Sequence, residues 1–278
     1  MKKIHRFICA VLLALLAIQG ICFPGARADA DMEPRMPRFP ESGSTVKTDD
    51  RLTIDYSHAD QGYVLVKAKK SDKRMQLKVS HGKDSVCYEI NGEGRDEVIP
   101  LQFGSGKYTF TLAISRKKGS RQAGPAGSVT IQCSMTDESS CFLYPNQYVS
   151  YDADSPLVAE AQNLCEGMSD PLEIAKTICA YVRRHFSYDW MKAEMIKSDR
   201  TKNLLPDIGS TWETGKGVCQ DLSALTCAML RSQGIPAKLA IGRADGSYHS
   251  WVVIVIDGKT RRFDPSLSAG SYQAERYY

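Results

Sequence analysis

Beyond its first 30 residues the chain has no apolar run long enough to cross a bilayer, so no permanent membrane span is expected. Paired cysteines at zinc-ligand spacing are absent, and so is an acidic loop of the calcium-binding type. No metal and no other cofactor is therefore expected. An excess of one charge is missing too. Of 36 basic and 32 acidic side chains, four basic (Lys2, Lys3, Arg6, Arg27) and one acidic (Asp29) fall in residues 1–30, leaving 32 against 31. The formal net charge of +4 thus belongs mainly to the leader, and it gives no footing for nucleic acid or an anionic membrane as partner. Internal repeats and low-complexity segments are also lacking.

What is present begins with a leader. Lys2, Lys3 and Arg6 precede the apolar run Phe7–Ile18, and Ala28-Asp29-Ala30 offers a small-x-small cleavage site. That is the pattern of a secretory signal peptide over residues 1–30, with cleavage near Ala30. The product is expected to be secreted, extracellular or associated with the cell envelope. Lipid attachment at Cys22 is the weaker reading, because Ile21 is not the small residue such attachment needs. The 278 residues suffice for two modest domains. Of nine cysteines, Cys9 and Cys22 lie in the leader, and the remaining seven form an odd set, which leaves a thiol unpaired if the rest pair. Cys133 with Cys141, and Cys165 with Cys179, are plausible local bridges, but six cysteines allow fifteen pairings and the sequence does not choose among them. A reducing source would leave every one of them free.

Residues 31–50, with Pro34, Pro37 and Pro40, read as a linker. From 51 to 134 the pattern is alternation. Short runs at Tyr63–Val66, Met75–Val79, Val86–Ile90, Val98–Leu101, Tyr108–Ile114 and Val129–Cys133 are separated by glycine, serine, asparagine and aspartate. Six or seven such strands predict a β-sandwich-like domain. No catalytic constellation falls in it, and His58 and His81 read as isolated surface histidines.

From 135 to 278 the period turns helical and then returns to strands. Ser155-Pro156 and Asp170-Pro171 are helix starts, and Gly167 closes the first helix. His185 reads as structural on the second helix, ahead of a short helical Met191–Lys197 and a polar loop near 198–210. Next comes the stretch around which the chain is organised, Gly215-Lys216-Gly217-Val218-Cys219-Gln220-Asp221-Leu222. Leu222, Leu225, Met229 and Leu230 have helical spacing, and Gly234 with Pro236 stops the run. Cys219 therefore falls in the first turn of a helix, where free N–H groups and the macrodipole favour a negative charge. Ala237–Ile241, His249–Ile256 and Arg261–Asp264 read as successive strands, with Trp251–Ile256 central because it is apolar on both faces. A two-residue turn at Asp257-Gly258 would oppose Ile256 to Lys259 and Trp251 to Asp264. His249 then lies diagonally across from Asp264 on one face. A nucleophile, a base and an orienting carboxylate are the parts of nucleophilic acyl chemistry.

With those residues in place, the segment from about 140 to 270 resembles the transglutaminase-like core, a branch of the papain-like cysteine enzymes. The resemblance rests on Lys216-Gly217-Val218-Cys219-Gln220-Asp221, Arg231-Ser232-Gln233-Gly234-Ile235-Pro236-Ala237, His249-Ser250-Trp251 and Phe263-Asp264-Pro265, matching in order and spacing together. A β-domain ahead of such a core also resembles secreted bacterial proteins, more loosely. The resemblance implies an α+β fold, with the β-sandwich-like domain followed by the transglutaminase-like catalytic core. It implies Cys219 as nucleophile, His249 as general base and acid, and Asp264 as the residue orienting the imidazole. For the second oxyanion donor it implies an upstream aromatic, with Tyr188 the candidate and Trp190 and Trp212 its rivals. One departure is the pair Arg261 and Arg262 before Phe263, which changes the charge beside the site.

The expected function is a secreted cysteine enzyme acting on amide bonds of proteins or peptides, cell-wall peptides included, as a protease, amidohydrolase or transglutaminase. The alternative is a non-catalytic envelope or protein-binding module that keeps the fold. A lone cysteine at a helix start is more often packing, as Cys227 on the same helix illustrates. Three coordinated matches are what favour the enzyme. Oligomeric state is not legible.

Overall fold

Alternation of apolar side chains from Leu52 onward builds two four-stranded antiparallel sheets. The strands are β1 (Val46–Asp49), β2 (Leu52–Asp55), β3 (Tyr63–Ala68), β4 (Met75–His81), β5 (Asp84–Ile90), β6 (Glu97–Pro100), β7 (Gly106–Ser115) and β8 (Ala123–Cys133). One sheet has the order β1-β2-β3-β6 and the other β5-β4-β7-β8. Along β7, Tyr108, Phe110 and Leu112 are buried, while the hydroxyls of Thr109 and Thr111 face outward to Thr130 and Ser128. This period of two sends one face of each strand into a shared core. The computed structural model describes residues 40–120, 122–198, 205–256, 258–266 and 271–278. The leader and residues 31–39 of the linker fall outside the described residues. Val46–Asp49, expected as linker, is instead an exposed edge strand held by its ladder with β2.

Past Cys133 come α1 (Pro156–Leu164), α2 (Pro171–His185), β9 (Ser187–Tyr188), α3 (Trp190–Ser198), α4 (Ile208–Thr214), β10 (Lys216–Gly217) and α5 (Cys219–Ser232). Four strands follow: β11 (Ala237–Ala244), β12 (Ser247–Ile256), β13 (Lys259–Phe263) and β14 (Tyr272–Tyr277). Both helix starts read from sequence are present, with Pro156 and Pro171 in the first turn and the Asp170 carboxylate accepting from Leu172 N–H. The loop expected up to 210 contains α4, started by Asp207, whose Oδ1 accepts from Ser210 N–H. The last sheet runs β13-β12-β11-β14, so β12 is central, as its two-sided apolar run predicts. β14 was not foreseen.

Helix α5 is buried at every position except Gln220. α1, α2 and α4 pack on it from one side, and β11 and β12 from the other. Its polar side chains are satisfied locally: Ser223 Oγ donates to Ser250 O, and Thr226 Oγ1 to Leu222 O. Most of the buried apolar side chains form one continuous cluster from Leu52 through Leu222 to Tyr278, with two small clusters apart from it around Tyr63 and Trp251. The sandwich and the helical part therefore share a core rather than each closing its own. Neither of the two plausible local bridges forms, and Cys133, Cys141, Cys165 and Cys179 are in no disulfide. Cys133 and Cys141 instead donate to two different carbonyls, of Ala59 and Glu138.

Gly242 sets how closely β14 approaches. A Cβ there would sit 2.1 Å from Gln273 O and 2.9 Å from Ala274 Cα, both backbone atoms that cannot swing aside. Gly242→Ala should therefore lift β14 off β11 and cost about 1–3 kcal/mol, read from the urea midpoint. An unchanged midpoint would mean that this edge yields freely.

Candidate active site

The start of α5 is fixed by one buried carboxylate. Val218 occupies the N-cap in extended conformation, and valine has no side-chain acceptor for the first helical N–H groups. Asp221, three residues on, supplies the reciprocal bond, with Oδ2 accepting from Val218 N–H at 2.9 Å. The same oxygen accepts from Lys192 Nζ at 2.7 Å, and Oδ1 accepts from Asp207 N–H at 3.0 Å. Asp221 thus ties α3, the start of α4 and the start of α5 together. The link places Cys219, only 8 % exposed, at the first helical position.

Beneath it, Ser223 anchors α5 to the backbone of β12 at Ser250, beside His249. The imidazole of His249 hydrogen-bonds the Cys219 thiol and Asp264. Nε2 meets Asp264 Oδ2 at 2.7 Å, which leaves Nδ1 for the sulfur. The hairpin has the register read from sequence, with Ile256 opposite Lys259 and Val252 opposite Phe263. Continuing that ladder brings Trp251 level with Asp264, so the diagonal placement of His249 follows from the turn. Burial disfavours a charged imidazole, but hydrogen bonds to Asp264 and Cys219 outweigh it and hold the His249 pKa up at about 9. Burial likewise works against ionised Asp264. The bonds from His249, Ser266 and Tyr272 overcome it, and the pKa falls to about 2.

Tyr188 comes from β9, which pairs in parallel with β10 directly before Cys219, Gly217 opposite Tyr188. Its hydroxyl reaches both the Cys219 thiol and the Cys219 backbone N–H. Burial first, and the neighbouring sulfur second, push its pKa to about 12, so it remains a donor at neutral pH. The two rivals lie elsewhere. Trp190 stacks on Tyr188 but is 69 % exposed, and Trp212 packs on Phe186 and lines a cavity of about 600 Å³ with Tyr151, Leu157 and Ile208.

The remaining expectations resolve simply. His185 is exposed, stacked on Tyr181, with Nδ1 against Tyr181 O. Cys227 is fully buried, and burial raises its thiol to about 12. Among the described residues no group of three or more His, Cys, Asp or Glu side chains is placed to hold a metal ion, and no helix is long and apolar enough to cross a membrane. Sequence reading missed Ser266, which donates N–H and Oγ to Asp264 Oδ1 at 2.9 Å each, and Tyr272, which donates to Oδ2 at 2.8 Å. It also missed the anchoring by Asp221, although an acidic residue at the third helical position was a readable signal.

Comparison with solved structures returns chains with partial similarity. The crystal structure of a TGase is 20% identical, with 43% of this chain and 32% of that one covered and a TM-score of 0.34. This chain therefore spans about a third of that protein's length. A protein from Cytophaga hutchinsonii, suggested to be a cysteine protease, is 13% identical over 74% of each chain, with a TM-score of 0.40. The periplasmic domain of TgpA from Pseudomonas aeruginosa is 11% identical over 81% of this chain and 94% of that one, with a TM-score of 0.36. Among curated proteins, none matches. Residues 159–265, from within α1 to the turn after Asp264, match the model of the transglutaminase-like superfamily, and this stretch of the chain is a transglutaminase-like domain.

Proposed function

We propose that the chain is an exported cysteine enzyme that transfers acyl groups from amide bonds of proteins or peptides, with Cys219, His249 and Asp264 as its triad. The observation that carries the reading is the position of His249, hydrogen-bonded on one side to the Cys219 thiol and on the other to a buried, ionised Asp264. With the pKa of His249 raised to about 9, the thiol proton already rests on the imidazole at neutral pH, and in the first step the sulfur attacks the amide carbonyl. The oxyanion that forms is met by the Cys219 N–H and the Tyr188 hydroxyl, which lie within hydrogen-bond reach of each other beside the sulfur. His249 then returns the proton to the leaving amine, and a thioester on Cys219 remains. Water attacking that thioester, with His249 taking its proton, gives hydrolysis. An amine attacking in its place gives a cross-link. Asp264 stays ionised throughout and steers the ring. Export rests on the leader sequence, Lys2 to Ala30.

The test is mass spectrometry of candidate protein and cell-wall peptide substrates incubated with wild type and with Cys219→Ala. Wild type should produce cleavage, a one-dalton deamidation shift, or new isopeptide links, and the variant none. Products of equal yield from both proteins would remove Cys219 from the chemistry. The absence of any product, with Cys219 no more reactive than a free thiol, would leave a binding module with this fold.

A further inference from the structure

We propose that Tyr272 is a positioning residue of this site, its hydroxyl sharing Asp264 Oδ2 with His249 so that the carboxylate is held in place and its pull on the imidazole proton is limited. The inference rests on the triad proposed above. Oδ2 accepts from His249 Nε2 at 2.7 Å and from Tyr272 at 2.8 Å, while Oδ1 accepts both donors of Ser266. A carboxylate offers about four lone-pair positions, and four donors among the described residues meet them. Its rotation is therefore blocked, and so is that of the ring it orients.

The tyrosine is itself held from three sides. Its ring meets Trp251 edge-on at 5.0 Å, and the Arg262 guanidinium lies 3.7 Å above its centroid. The start of β14 is pinned where Ser271 donates N–H and Oγ to Asp245 Oδ1 and accepts Asp245 N–H on its carbonyl. Arg262, the basic residue that departs from the expected pattern before Asp264, thus gains a place: it covers the ring whose hydroxyl holds the triad carboxylate. Burial and the Asp264 charge raise the Tyr272 pKa to about 12, so its proton is always available for donation.

The sign of the effect follows from the sharing. Two donors on one carboxylate oxygen divide its charge between them. Taking the hydroxyl away removes one donor from Oδ2 and leaves more of its charge to His249, so the imidazolium is bound more tightly. The other groups facing this pair are Cys219 from α5, Tyr248 from β12, Arg262 from β13 and Cys179 from α2, and Tyr272→Phe leaves all of them in place.

The experiment is a titration of the His249 imidazole by NMR in full-length wild type and Tyr272→Phe, with Tyr248→Phe as control. Tyr272→Phe should raise the His249 midpoint by roughly 0.5–1 unit, with a thermal midpoint within about 2 °C of wild type. Tyr248→Phe should leave the midpoint where it is. An unchanged midpoint in Tyr272→Phe overturns the proposal. So does a fall toward 6.5, which would mean that the hydroxyl only packs the site and its loss loosens the carboxylate. The titration reads the Asp264–His249 pair whether or not the protein turns over a substrate. Failure of the enzymatic reading, seen as absent products, is thereby separate from failure of this one.

Discussion

His249→Ala should lower acyl transfer by about 10³–10⁴-fold and remove the selective alkylation of Cys219 by iodoacetamide near neutral pH. In the proposed mechanism this residue has two tasks that no neighbour can take over. It holds the proton taken from the thiol, and it later gives that proton to the leaving amine. Among the groups around Cys219, Tyr188 cannot serve as base, because burial and the sulfur hold its proton up to about 12. The pH dependence has a definite sign. The His249 pKa is raised from 6.5 to about 9 and that of Asp264 lowered from 3.8 to about 2, so the charged pair exists between those limits. The stability it contributes is present in full below about 6.5 for the histidine and is lost as pH rises through about 9. For the aspartate it is present above about 3.8 and lost as pH falls toward 2. Wild-type alkylation should therefore depend on His249 across neutral pH and converge with that of His249→Ala above about 9. Equal alkylation rates for the two proteins at pH 7 would sink the triad.

How the cysteine came to be legible, and the tyrosine not, is a matter of range. The start of α5 is written locally. Gly217 lets the chain pass close, since a Cβ there would meet Asp221 Cβ at 2.8 Å, and the apolar spacing from Leu222 does the rest. The hairpin register is local as well: the pair Ile256 and Lys259 fixes every later pair up to Val252 and Phe263. β14 has no such signature. Tyr272-Gln273-Ala274-Glu275-Arg276-Tyr277 is an exposed, mostly polar edge strand without a β-branched residue, and it becomes a strand only because β11 lies alongside. Its partner positions, Gly242 and Ala244, are some thirty residues upstream. α4 was hidden for the opposite reason. Ile208-Gly209-Ser210-Thr211 has poor helix propensity, and the cap at Asp207 with packing against α5 overrides it. The cysteines were misread because spacing along the chain says nothing of direction. Cys133 and Cys141 point at separate carbonyls.

Arg231→Lys should be among the most destabilising single changes in the chain, costing about 3–5 kcal/mol and lowering the melting temperature by on the order of 10 °C. Arg231 is fully buried on α5. Its guanidinium donates to three backbone oxygens: Nε to that of Ala237 at 2.9 Å, Nη1 to that of Tyr144 at 2.7 Å and Nη2 to that of Tyr278 at 2.9 Å. Those oxygens lie at the start of β11, in the segment between β8 and α1, and just past β14. One planar fork thus joins α5 to the last sheet and to the connection from the sandwich. Burial lowers its pKa, yet a guanidinium stays protonated under any condition in which the protein folds. Lysine keeps the charge but not the fork. Its single ammonium cannot reach three divergent oxygens, so both a buried cation and unpaired acceptors remain. Arg231→Met removes the charge along with the donors, and it should cost less than lysine for that reason. The order wild type, methionine, lysine in thermal midpoint is the discriminating result. A lysine variant that melts with wild type would show that charge alone, not the geometry of the three bonds, holds this junction.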